Sequence, residues 1–236
     1  MHDGQTGHVR PGLDPAAQFE AAHVRQVHVD EGHVGQDPPA QPCVEFDERL
    51  VAGGDGDDLV TGTAQQGEAD EGPGYVTLFA GSRAGLRPGR RITQASRGVP
   101  GTNELEDRFG AAVALADVDR DGHADLVVGA PGEDRGAGRV TFLRGARSGV
   151  ARTGARAWDQ GTRGVPGTKE RFDAFGARVA LLDHDGDRRL DLDVVATGED
   201  AFRGSVTTLP GVRGGFTTRH AQATFLERRG RDSNPR

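Results

Sequence analysis

The chain has 236 residues, 36 acidic against 29 basic side chains for a net charge of −7, 5% aromatic residues and 37 glycines. This balance argues against a nucleic-acid partner, while aspartates gathered in loops suit divalent cations. A single cysteine, Cys43, excludes an internal disulfide, and the sequence shows neither a long apolar run for a membrane span nor a basic-then-apolar export signal.

Residues 1–44 carry five of the eight histidines, His2, His8, His23, His28 and His33, without any strand or helix period. They lack the close pairing of a metal-binding tract, so this head is expected to be disordered or a non-native reading frame. Residues 45–98 read as a degenerate copy of a module that follows twice more, because residues 58–62 and 74–79 match 125–129 and 138–143. In this copy, residues 51–58 have lost a position and the first two carboxylates of an acidic loop, which leaves a vestigial cation site.

Residues 99–160 form the clearest copy. Val113 and Leu115 alternate with alanines, Leu126, Val127 and Val128 make a short apolar run, and Val140 and Phe142 alternate with Thr141 and Leu143. These are strand patterns. Gly101, Gly110, Gly122, Gly132, Gly138 and Gly145 punctuate them at hairpin spacing.

Residues 161–218 repeat the module at an offset of 66, with Ile92, Gln94, Phe109, Gly110, Asp117 and Leu126 answered by Trp158, Gln160, Phe175, Gly176, Asp183 and Leu192. Such internal repetition predicts a repeat architecture. Three to four strands per copy of about 60 residues suggest blades of a β-propeller, so the fold class expected is all-β, a partial propeller of about three blades. Trp158, in the place of Ile92, is expected in the core.

The chemistry lies in two loops. Asp117, Asp119, Asp121 and Asp125 occupy positions one, three, five and nine, with Gly122 at the sharp turn. Hard oxygens at this spacing suit Ca2+, with the backbone carbonyl of His123 and water completing the shell. Val128 stands where an EF-hand needs glutamate, and a strand follows, so the loop is not an EF-hand. Two carboxylates about 4 Å apart at an effective dielectric near 20 repel by roughly 4 kcal/mol, so a cation is expected to order the loop.

The second loop offers Asp183, Asp185, Asp187 and Asp191 with the carbonyl of Arg189, but has Arg188 where the first has Gly122. If that position is left-handed, a non-glycine residue costs about 1–2 kcal/mol, which predicts weaker binding here.

Residues 219–236 are expected to be a disordered, Arg-rich tail. Residues 230–235 can be encoded by a run containing GATTCGAACC, the complement of a T-arm segment of transfer RNA genes. Antisense translation through such a gene is therefore expected, and the nucleotide sequence decides it. Lys169 is the one lysine among 29 basic residues, a bias of GC-rich codons. Nucleophile-elbow, zinc-pair and phosphate-loop motifs of enzymes are absent, so no catalytic activity is expected.

Phe109-Gly110, the Asp loop and Gly129-Ala130-Pro131 together resemble the FG-GAP repeat of the integrin α-subunit propeller and its bacterial secreted relatives. The second copy keeps Phe175-Gly176 but has Ala196-Thr197-Gly198 in the region of the Gly-Ala-Pro. The resemblance covers residues 45–216 and implies a seven-bladed propeller with calcium in hairpin loops, an extracellular location and a role in recognition or adhesion toward a protein or glycan. Three blades cannot close a propeller of about four to eight. Self-association or missing blades would be needed, since open blades expose sheet edges. The alternatives are an accessory propeller of a secreted hydrolase and a mis-called reading frame without independent function.

Overall fold

The computed structural model describes residues 25–26, 44–47, 58–63, 72–80 and 87–226. Most of the His-rich head, Cys43, nearly all of the vestigial loop and the extreme tail lie outside them.

The described residues are all-β and build three antiparallel blade sheets and a separate two-stranded hairpin. The first runs in the order β1 (Arg25–Gln26), β2 (Val44–Asp47), β3 (Asp58–Thr63), β4 (Tyr75–Ala80), β5 (Arg87–Ile92). The second is β6 (Ala112–Ala116), β7 (Asp125–Ala130), β8 (Arg139–Leu143), β9 (Arg156–Trp158). The third starts with β10 (Phe175–Leu182), β11 (Asp191–Ala196) and β12 (Ser205–Leu209). A two-stranded hairpin of β13 (Gly211–Val212) and β14 (Gly215–Phe216) then intervenes before β15 (Gln222–Phe225) completes the sheet beside β12. These are three blades of a partial propeller. Among the described residues no helix is long and apolar enough to cross a membrane.

One expectation about the ends needs correction. The tail expected to be disordered from residue 219 supplies β15, whose Val206↔Thr224 pairing repeats Val140↔Trp158 of the second blade and Val76↔Ile92 of the first. The apolar marker that identifies the fourth strand in the earlier blades is simply replaced by threonine. In the head, Arg25–Gln26 pairs with β2 as a short extra edge strand.

The blades stack face to face through two apolar seams. Val60, Val76 and Ile92 of blade 1 pack with Val113, Leu115, Leu126 and Val128 of blade 2. From the other side of the blade 2 sheet, Ala114, Val127, Val140, Phe142 and Trp158 pack with Phe175, Leu192 and Val194 of blade 3. Blade 2 is therefore covered on both faces, which is why Leu126, Val127 and Val128 form a continuous apolar run rather than an alternation. Trp158 and Ile92 are both buried, as their shared repeat position predicts.

The Phe-Gly pairs lock each blade onto the one before it. Phe109 and Phe175 are fully buried, and their amides donate to the carbonyls of Pro73 and Ala137 across the seams, at 2.9 and 3.0 Å. The following glycines meet a glycine of the preceding blade, Gly110 against Gly62 and Gly176 against Gly129. A side chain at either contact would strike backbone.

The outer face of blade 3 departs from this pattern. The register that holds Val60, Gly62, Leu78 and Ile92 in blade 1, and Val127, Gly129, Phe142 and Trp158 in blade 2, holds Asp193, Val195, Thr208 and Thr224 in blade 3. The polar groups satisfy one another. The Thr208 hydroxyl donates to Asp193 Oδ1 at 2.6 Å, and His184 Nε2 lies 2.9 Å from Asp193 Oδ2.

Candidate metal centre

Each acidic loop joins the first two strands of its blade, β6 to β7 and β10 to β11, so the sheet fixes both ends. The first aspartate of each folds the chain back on itself. Asp117 accepts from the amides of Asp121 and Gly122, both at 3.0 Å, and Asp183 from those of Gly186 and Arg188 at 2.8 and 2.9 Å. Asp121 and Asp187 repeat one tight turn, accepting from the amides of His123 and Arg189 at 3.0 and 2.7 Å.

The last aspartates are braces. Asp125 accepts from Val118 at 3.0 Å and from Gly145 at 2.7 Å, tying the loop to the end of β8. Asp191 does the same with His184 and Gly211, at 3.0 and 2.8 Å. Burial pushes the Asp125 carboxyl up to about 7, the neighbouring charges of Asp119 and Asp121 add to the rise, and the two amides oppose it.

Backbone strain does not separate the two loops. Arg188 is left-handed at φ 70°, as the position of Gly122 (φ 87°) requires, but the first loop carries the same burden two residues earlier, where Arg120 has φ 61° and its counterpart Gly186 has φ 79°. Each loop places one glycine and one arginine at its two left-handed positions, in opposite order. The cost expected for the second loop alone is thus shared by both.

Ligand oxygens of Asp117, Asp119 and Asp125 lie within 4.8 Å of one another, as do those of Asp183, Asp185 and Asp187. Asp121 and Asp191 stand outside these groups. The Asp119 side chain is only 2% exposed. Arg144 binds its Oδ2 and also reaches Asp121 at 3.1 Å, whereas Asp119 Oδ1 is buried without a hydrogen-bond partner. In the second loop all three carboxylates are exposed, and the Arg189 guanidinium pairs with Asp187 at 2.8 Å. The Arg189 amide, first, and this guanidinium hold the Asp187 carboxyl below its ordinary range.

Sequence reasoning overlooked Arg144, which is remote from Asp119 along the chain and has Pro210 at its place in the next blade. It also gave no role to a repeated buried brace. Gln94 donates to Glu133 and Gln160 to Glu199, while Asp107 and Asp173 each accept a nearby amide at 2.7 Å. Burial raises all four of these carboxyls, Asp107 to about 6. The 66-residue offset of Gln94 and Gln160 was the available signal.

Comparison with known proteins fits this architecture. Residues 109–143, from the Phe-Gly pair through the first acidic loop to the end of β8, match the FG-GAP repeat family. Over 107 residues the chain is 36% identical to phosphatidylinositol-glycan-specific phospholipase D of Rattus norvegicus, a match spanning 42% of this chain and 13% of that protein.

Proposed function

We propose that this chain is a calcium-stabilised, non-catalytic recognition module of an extracellular protein. Asp119 carries the reading, with a buried side chain, one oxygen lacking a donor and the oxygens of Asp117 and Asp125 beside it. An unsatisfied buried acceptor costs about 1–3 kcal/mol, more when charged. A hard divalent cation suits an all-oxygen set of this kind. The FG-GAP repeat at residues 109–143 supports the same ion and an extracellular setting. The ligand would be a protein or glycan held by the loops, with self-association or further blades completing the propeller.

Calorimetric titration of the full chain with calcium, paired with thermal melting in excess calcium and in chelator, tests this. Calcium should raise the melting temperature, and Asp119→Asn should remove the heat of one site. Identical melting in both conditions would sink the reading.

A second reading is favoured by the relative's name, that of a phospholipase. The blades would then be the accessory, non-catalytic part of a hydrolase. A catalytic motif encoded beside the blades would support it, and further blades alone would support recognition.

A further inference from the structure

We infer that the seam between blades 2 and 3 holds a binding site for a sulfate or phosphate ester, opened when a divalent cation fills the first acidic loop; the inference rests on the calcium reading above. A cavity of about 700 Å³ lies beside that loop, lined by Arg120, Arg144, Arg156 and Arg213 together with Asp119 and Asp121. Four arginines and two aspartates share its wall, and guanidinium stays charged at every working pH.

The pieces come from separate elements. Arg120 belongs to the acidic loop, Arg144 follows β8, Arg156 begins β9, and Arg213 sits at the tip of the β13–β14 hairpin. Phe216 fixes that hairpin over blade 2, packing edge-on against Phe142 at 5.1 Å and Trp158 at 6.1 Å. The cavity is thus built by two blades.

Arg144 couples the two sites. Its guanidinium holds both Asp119 and Asp121, the carboxylates on the side of the loop that faces the cavity. A divalent cation bound through the donor-free Oδ1 of Asp119 competes with Arg144 for the charge of the same carboxylate, whose Oδ2 Arg144 holds. Displaced, the half-exposed Arg144 side chain stays beside the cavity, now free to fork onto an oxyanion with Arg156 and Arg213. Neutralising Asp119 by the cation also removes the charge that opposes an anion there. Bidentate guanidinium contacts suit the oxygens of a phosphate or sulfate group.

The full chain carries its own reporter, since Trp158 is the only tryptophan and lies two residues from Arg156. Trp158 fluorescence is followed while inorganic sulfate, and separately glucose 6-sulfate, is titrated at constant ionic strength in excess calcium or in chelator. Sulfate should bind about tenfold or more tightly with calcium, as expected for losing or gaining a charge-assisted contact. Arg156→Gln with Arg213→Gln should weaken sulfate binding by a similar factor and leave calcium affinity, measured by calorimetry, unchanged. Arg144→Gln should tighten calcium and weaken sulfate, with circular dichroism confirming the fold. Equal affinity for the two probes assigns the site to the oxyanion itself, and tighter binding of the ester assigns it to a sulfated sugar; either supports the site. Calcium binding with no sulfate response, or a sulfate response indifferent to calcium and to Arg144→Gln, overturns this inference and spares the calcium reading. Absence of calcium binding overturns both.

Discussion

Gly129 of the second blade lies against Gly176 of the third so closely that a Cβ at Gly129 would stand 2.1 Å from the Gly176 carbonyl oxygen. The obstacle is backbone, which cannot swing aside as a side chain can. Gly129→Ala is therefore expected to destabilise the fold by about 1–3 kcal/mol, the ordinary range for overpacking, or more if the seam parts. Gly122→Ala is the control, because nothing lies within 4 Å of its added Cβ and only the left-handed φ opposes it. Urea unfolding of the two variants should rank Gly129→Ala as the more damaging.

The exchanged glycine and arginine positions of the acidic loops make a second test. Arg120→Gly and Arg188→Gly each relieve a left-handed residue, a gain of about 1–2 kcal/mol offset in part by the greater freedom of glycine in the unfolded chain. Both should therefore raise stability slightly and by similar amounts when melted in chelator. A gain confined to Arg188→Gly would show that the loops are not equivalent after all.

Asp107 gives a pH dependence with a definite sign. Its folded pKa, about 6, lies above the ordinary 3.8 because of burial first, with Glu133 and Glu104 adding. The folded state thus holds the proton more tightly than the unfolded chain. Its contribution is fully present below about pH 4 and is lost as pH rises through 6. The size is on the order of 2–3 kcal/mol. Asp107→Asn, which keeps an oxygen for the Glu104 amide, should flatten the fall of the urea midpoint between those values. An unchanged slope would place the pH dependence elsewhere.

What was legible in the sequence is what repeats locally. Phe109 and Phe175, the two aspartate loops and the Leu126 run each show their role within a few neighbours, so the all-β repeat and its two acidic loops could be read. Contacts made across a seam could not. Arg144 reaches Asp119 only because β8 returns beside the loop, and the unpartnered oxygen of Asp119 depends on burial contributed by the surrounding sheet. The last strand was missed because Thr224 carries none of the apolar signal of Trp158, although the same 66-residue offset marks its position.

The changed face of blade 3 has a consequence for assembly. A blade joining there as the first two seams are joined would press its Phe-Gly backbone onto Val195 instead of a glycine and cover the Asp193 carboxylate with apolar surface. Burying a charge without full compensation is costly. The outward side of blade 3 is thus polar while its inward side is apolar and packed on blade 2. Restoring the seam residues with Asp193→Val, Val195→Gly, Thr208→Phe and Thr224→Trp should make the chain associate, in sedimentation, at concentrations where the parent does not. A partner that completes the propeller on this side must therefore meet blade 3 with polar groups rather than with the apolar seam that joins the first three blades.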